Sequence, residues 1–207
     1  MTKICQNRNE QFTIDPTDLA FYEKMHVPPP TFCPLCRAQR RLAFYNLRTL
    51  YKRPDTRTGK EIFSSFSPAA PFVVYDKDYW WSDAWDPLDY GREYDFSKPF
   101  FEQFFALFKK VPLASRSVLN PVRSDFSNNA GNLKDCYLVF DATECENCLY
   151  GSSMNNTKDS IDVSDVTQIE HSYETLMSSK SSNLFFSSQC DNCFEVYFSR
   201  DLAGCNY

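Results

Sequence analysis

Residues 133–161 read LKDCYLVFDATECENCLYGSSMNNTKDSI, and one short phrase recurs in them. Leu133-Lys134-Asp135-Cys136-Tyr137 returns as Cys145-Glu146-Asn147-Cys148-Leu149 and again as Thr157-Lys158-Asp159-Ser160-Ile161. Downstream it continues as Ile169-Glu170-His171-Ser172-Tyr173, Cys190-Asp191-Asn192-Cys193-Phe194 and Leu202-Ala203-Gly204-Cys205-Asn206. The anchors 136, 148, 160 and 172 are 12 residues apart, as are 193 and 205. In a segment this rich in Ser, Asn and Asp, such a period is not a helix face. It fits a chain that winds back on itself, with one small and one apolar residue turned inward per unit and Asn or Asp serving the turns.

Between 172 and 193 the distance is 21, which predicts a less regular unit near Asn183-Leu184. Ser124-Asp125-Phe126 reads as a degenerate first unit, and Leu149, Ile161, Leu184 and Phe194 are expected to stack. Each unit is either one coil or half of a coil of about 24 residues. The pairs Cys145/Cys148 and Cys190/Cys193 have metal-knuckle spacing, but Ser160 and Ser172 share the anchor position with Cys136 and Cys148. That exchange points to inward packing. Tyr207 falls two residues into a unit, which predicts a protein partner or a second copy over this C-terminal edge, or a longer parent chain.

Upstream, Cys5 stands 28 residues before Cys33-Pro34-Leu35-Cys36. Two knuckles, each presenting thiolates two residues apart, make a tetrahedral zinc site. Here Arg8 occupies the place of one ligand, leaving Cys5, Cys33 and Cys36, with His26 or water as candidate fourth ligand. The alternative is a metal-free ribbon held by Phe12, Ile14, Phe21 and Tyr22. A short helix is expected from Asp15-Pro16-Thr17 to the run Val27-Pro28-Pro29-Pro30. Residues 37–60 then hold eight basic residues and one acid. Arg37, Arg40, Arg41, Arg48, Lys52 and Arg53 are candidate phosphate contacts, and Phe44, Tyr45 and Tyr51 candidate stacking platforms, for RNA or DNA. The competing reading is a solvated basic face.

Pro54-Asp55-Thr56-Arg57-Thr58-Gly59-Lys60 has the outline of a knuckle turn without cysteines, and Asp76-Lys77-Asp78-Tyr79 falls where a partner knuckle would be. A second, metal-free ribbon is expected, with strands at Glu61–Phe63 and Phe72–Tyr75. Trp80, Trp81 and Trp85 would join head to tail. Ser97 and Pro99 open an amphipathic helix whose Phe100, Phe101, Phe104, Phe105 and Phe108 would cap the coil. Asp76, Asp78, Asp83, Asp86, Asp89 and Asp95 crowd one stretch and read as loop and cap residues before they read as catalytic carboxylates.

The totals agree with this division. Residues 1–60 carry 11 Lys+Arg against 5 Asp+Glu, and residues 61–207 carry 11 against 22, so only the first part suits a polyanion. Five glycines and no phosphate-loop motif argue against nucleotide binding by such a loop. Nine cysteines, no secretory leader and no apolar run of membrane-spanning length point to a reducing cytoplasm and no membrane partner.

The fold expected is mainly β: a basic zinc-ribbon-like head (1–60), an aromatic degenerate ribbon with a capping helix (61–113), and a C-terminal parallel β-helix of 12-residue repeats (114–207). On the strings VPPPTFCPLCRAQRR, RTLYKR, YWWSDAWDPLDYGREYDFSKPFFEQF, DCYL and ENCLY the chain resembles an uncharacterised bacterial family from candidate-phyla, ultra-small-cell genomes. The resemblance implies a zinc ribbon followed by Cys-rich repeats and no established reaction. Arg8, the cysteine-free turns near 54–57 and 76–79, and Ser160 and Ser172 depart from it. The function expected is non-enzymatic: a zinc-bearing head on nucleic acid, with the coil as scaffold. The alternatives are a protein-interaction or self-assembling scaffold, and a polysaccharide-active β-helix enzyme by fold analogy alone.

Overall fold

The computed structural model describes residues 1–43 and 46–206, in two compact units, Met1–Asn46 and Leu47–Tyr207. Phe44 and Tyr45 lie outside the described residues. The fold is mainly β, 39% strand and 17% helix, and ends in a β-solenoid of about seven turns. No helix among the described residues is long and apolar enough to cross a membrane.

The first unit opens with an antiparallel hairpin, β1 (Thr2–Ile4) and β2 (Gln11–Thr13), followed by α1 (Pro16–Lys24) and α2 (Pro34–Leu42). Asp15 caps α1 by accepting the Thr17 N–H at 2.9 Å. Cys33 is the N-cap residue of α2, and Pro34 sits where its missing N–H costs nothing.

The second unit opens with β3 (Tyr51–Pro54) and β4 (Glu61–Ser64), also an antiparallel hairpin. The boundary expected at 60/61 falls between these two strands. β5 (Val74–Tyr75) does not join the hairpin, as the sequence reading had it, but pairs in parallel with β6 (Leu113–Ala114) at the approach to the solenoid. Between them lie α3 (Lys77–Trp80), a 3₁₀ turn at Pro87–Tyr90, and α4 (Phe100–Phe108). Trp80 donates its indole N–H to the Pro112 carbonyl at 2.8 Å and Trp85 to the Trp80 carbonyl at 2.8 Å, while Trp81 stays exposed.

In the solenoid every coil is 12 residues: Tyr137, Leu149, Ile161, Tyr173, Phe185 and Tyr197 pair in parallel register, one above the next. Within each coil runs a finer period of three. Non-glycine residues with φ near +50° recur at every third position from Asn120 to Asp201, with Phe126 the exception. Each such residue turns the chain and precedes an inward one, so a coil has four short sides and four inward side chains. A left-handed residue costs about 1–2 kcal/mol, least for Asn and Asp. Asn and Asp fill 13 of these 27 places. Their amides and carboxylates also ladder outside, as Asn129 to Asp141 at 2.8 Å and Asn132 to Glu144 at 2.6 Å.

This finer period corrects the irregularity expected between 172 and 193. Twenty-one is seven threes: Ser172 sits in the inward column Ser124, Cys136, Cys148, Ser160, Ser172, Leu184, Val196, and Cys193 in the adjacent column Leu133, Cys145, Thr157, Ile169, Ser181, Cys193, Cys205. The coil never slips, and the cysteine moves to the next side. The expected stack of Leu149, Ile161, Leu184 and Phe194 is likewise divided. Leu149 and Ile161 pair in register but face outward, Phe194 is exposed, and of the four only Leu184 is buried.

Cys and Ser exchange inside because both meet the same need. Ser160 donates to the Lys158 carbonyl at 2.7 Å and accepts the Ser172 N–H at 3.2 Å. Cys148 donates to the Glu146 and Thr157 carbonyls, each at 3.3 Å. A hydroxyl or thiol therefore fills a narrow core without leaving a buried polar atom unpartnered. Ser124, accepting the Cys136 N–H at 3.0 Å, is the true first anchor. At this end of the coil the buried Arg116 donates to the Asp125 carbonyl and, at 2.9 Å, to that of Ser127. None of the residues of α4, the helix expected to cap the coil, is buried, and Gln103, Leu107 and Phe108 are half-buried. Ser97 does not cap this helix. The N-cap residue is Pro99, and Ser97 instead donates to Asp95 at 2.6 Å.

Candidate metal centre

Cys5 lies in the β1–β2 turn. Its N–H donates to the Glu10 carbonyl and its carbonyl accepts the Asn9 N–H, both at 2.9 Å, with Asn9 in the left-handed region. The turn aims the N–H groups of Asn7 and Arg8 at the Cys5 sulfur, and Cys33 N–H reaches it at 3.3 Å. Led by the Cys33 N–H, these donors stabilise thiolate and pull the Cys5 thiol down to about 6. Gln6 N–H donates to the Thr31 carbonyl at 3.1 Å and docks the hairpin beside α2. Cys36 falls in the first turn of that helix. Its sulfur receives the Asn7 side-chain amide at 3.4 Å, but burial and the two neighbouring thiols hold its pKa above the ordinary value.

The three sulfurs lie within 4.8 Å of one another and all three residues are buried. Cys5 and Cys36 Sγ are 3.8 Å apart. Metal–sulfur bonds of about 2.3 Å in a tetrahedron set their sulfurs about 3.8 Å apart, so this spacing suits one ion. The group is able to hold a metal ion. His26, a left-handed residue after α1, does not join it, and no histidine does among the described residues. Arg8 turns to Glu10, at 3.0 Å, which leaves three thiols as candidate ligands among the described residues. The hydrophobic alternative is thin: Ile14 is buried and Phe12 and Phe32 lean on the thiols, whereas Phe21 is exposed. A core of this size holds a unit of 46 residues poorly without a metal or disulfide.

The β3–β4 turn repeats this framework fifty residues on. Asp55 N–H donates to the Lys60 carbonyl and Gly59 N–H to the Asp55 carbonyl, both at 2.8 Å, matching Cys5–Glu10 and Asn9–Cys5. Thr56 N–H donates to the Val74 carbonyl at 2.9 Å as Gln6 does to Thr31. Arg57 lies over the Tyr79 ring at 3.9 Å, as Asn7 meets Cys36. Where the first turn carries the Cys5 thiol, the buried Asp55 carboxylate accepts the Arg57 N–H at 3.1 Å and the Thr58 hydroxyl at 2.7 Å. Hydrogen bonds thus close the second turn. A carboxylate two residues before a backbone donor and three before a hydroxyl was the legible sign of it.

The nine basic-face candidates do not share one role. Arg53 is buried, donating to the Phe72 and Ser67 carbonyls at 3.2 and 3.3 Å. It ties β3 to the 67–72 loop, and composition alone presented it as a surface cation. Arg37 is half-buried and donates to the Tyr22 hydroxyl at 2.8 Å. Arg48 bonds Ser152, and Lys52 pairs with Glu61 at 3.2 Å beside exposed Tyr51. Arg40 and Arg41 are exposed on α2, Arg40 over the Phe32 ring at 4.5 Å. Arg37, Arg40 and Arg41 belong to the first unit, and Arg48, Tyr51, Lys52 and Arg53 to the second. The exposed group Asp159, Glu170 and His171 is a second cluster of ligand-type side chains, on the solenoid surface.

Comparison with protein-family models gives no match, and comparison with curated proteins gives none either.

Proposed function

We propose that the protein is a non-catalytic adaptor whose Cys5, Cys33 and Cys36 bind zinc and so fix α2 as a nucleic-acid contact, most simply with RNA, while the solenoid serves as scaffold. The observation that carries this reading is the convergence of three buried thiols on the start of a helix that bears Arg37, Arg40 and Arg41 and no acid. Zinc is favoured by an all-sulfur set at tetrahedral spacing. The metal ties the hairpin to α2, and the arginines then stand on a rigid element, where phosphate contacts lose less side-chain and backbone freedom.

The test is the anisotropy of a fluorescent single-stranded RNA titrated with the full chain over a salt series. Each phosphate contact adds about 0.7 to the slope of log affinity against log salt. Replacing Arg40 and Arg41 by Ala should therefore lower that slope by about 1.4. No binding at low salt, or binding indifferent to salt, contradicts the reading.

A second reading, a protein-interaction scaffold, draws support from the aromatic columns on the outside of the coil. Phe185 stacks on Tyr197 at 5.2 Å and Phe186 on Phe198 at 4.9 Å, and Tyr197 and Phe198 are exposed. Exposed rigid aromatics are common binding anchors. On that reading Phe198→Ser abolishes partner binding and leaves RNA affinity as it was.

A further inference from the structure

Helix α4 presents a physical problem. It is nine residues long, FFEQFFALF, and none of them is buried. Helices shorter than about 12–15 residues are marginal in water and draw their stability from a packed apolar face. Here Phe72 meets Phe108 at 5.1 Å, and Gln103 ties the preceding loop by bonds to the Asp95 N–H and carbonyl, each at 2.9 Å. Phe96, Phe100, Phe101 and Phe104 join through ring contacts, Phe96 to Tyr94, Tyr94 to Phe100, and Phe100 to Phe101 and Phe104, and Phe105 lies one turn after Phe101 with the Lys109 ammonium over its ring at 4.3 Å. Phe96, Phe100, Phe101, Phe104 and Phe105 are between 48% and 92% exposed.

Taking roughly 200 Å² per phenylalanine, those five leave on the order of 650 Å² of apolar ring in water. That exceeds what an isolated soluble chain ordinarily exposes in one patch. Doubled, it is about 1,300 Å², inside the 1,200–2,000 Å² of a stable specific interface. A surface that is apolar in the middle and charged at both ends suits its own copy. In an antiparallel pair centred between Glu102 and Gln103, Phe100 of one copy stands opposite Phe105 of the other and Phe101 opposite Phe104, twice over.

We propose that α4 and its Phe96 loop form the interface of a two-fold homodimer, packing the Phe100–Phe108 helix against the same helix of a second copy. Burial of these rings supplies the packed face that α4 lacks within one chain, and an isologous contact closes without growing further.

Sedimentation and light scattering of the full chain over a dilution series test this. The expected species has twice the 24.1 kDa chain mass and dissociates on dilution. Phe101→Glu replaces a largely exposed side chain and should weaken association by at least about tenfold with an unchanged circular dichroism spectrum. Phe104→Lys should weaken it as well, and Phe101→Glu with Phe104→Lys, which sets opposite charges face to face across the two-fold, should weaken it less than either alone. A monomer at every concentration, a dimer indifferent to Phe101→Glu, or no rescue by the paired exchange overturns the proposal. So does a monomer that floats with phosphatidylcholine/phosphatidylserine vesicles, since a lipid surface is then what covers the helix.

Discussion

The coil around Gly151 offers a compensation experiment with a defined magnitude. Gly151 is an inward position, in register with Val139 on the coil before, while Met154 is in register with Ala142 before it and Val166 after it. A Cβ at 151 would collide with Met154 Sδ and lie 3.3 Å from the Val163 carbonyl, so the methionine fills the space that the glycine leaves. Gly151→Val alone overpacks the core, at a cost of about 1–3 kcal/mol. Met154→Ala alone opens a cavity, at about 2–5 kcal/mol. If the positions were independent, the double variant would lose roughly 3–8 kcal/mol. It instead rewrites this coil as a copy of the Val139/Ala142 coil, and the expected loss is at most ~2 kcal/mol. Urea denaturation of the four proteins, followed by far-ultraviolet circular dichroism, gives the cycle. Additivity within about 0.5 kcal/mol would refute side-by-side packing of these two positions.

Arg53→Ala strands two carbonyls and should cost about 2–3 kcal/mol in urea denaturation, while leaving RNA affinity unchanged, in contrast to Arg40→Ala with Arg41→Ala. The solenoid thiols Cys136, Cys145, Cys148, Cys190 and Cys193 are buried, and burial shields them whatever their acidity: the hydrogen bond from Cys148 draws Cys136 down to about 7, while desolvation pushes Cys145 up to about 11. Iodoacetamide at neutral pH should therefore leave all five unmodified in the native protein and label them only after unfolding, as peptide mass spectrometry reads directly. Because folding lowers the Cys5 thiol from 9.0 to about 6, the folded state of the metal-free protein favours thiolate. Its stabilising effect is complete above pH about 9 and is lost as pH falls through about 6. The thermal midpoint of the metal-free protein should fall across that window, and Cys5→Ser should flatten the fall; an identical profile in the variant would contradict it.

The solenoid was legible because the hydrogen bonds inside it demand a residue type. From Ser124 to Ser172 the anchor side chain donates to a carbonyl two residues back within a narrow space, and Cys and Ser both do so, whereas the column ends in Leu184 and Val196, which carry no such donor. The other columns were not legible because four inward side chains share one cross-section. Only the valine is shared between Cys136/Val139/Ala142/Cys145 and Ser160/Val163/Val166/Ile169, so no other inward position keeps its residue from one of these coils to the other. The left-handed turn positions hid the period of three, since Tyr150, Phe186 and Phe198 occupy them as well as Asn and Asp. In the head, the cysteine spacing picked out the three thiols that meet, while His26, offered by its place between them, stays outside the group. Composition did not separate Arg53 from Arg40, because burial against the Ser67 and Phe72 carbonyls depends on a fold-back of the chain that no local pattern records.

Native mass spectrometry of the reductively purified full chain tests the metal centre most directly. One zinc ion per chain, lost on Cys33→Ser and retained in Cys145→Ser, is the expected result. A metal-free protein that folds and resists unfolding as well with chelator as with added zinc would contradict it.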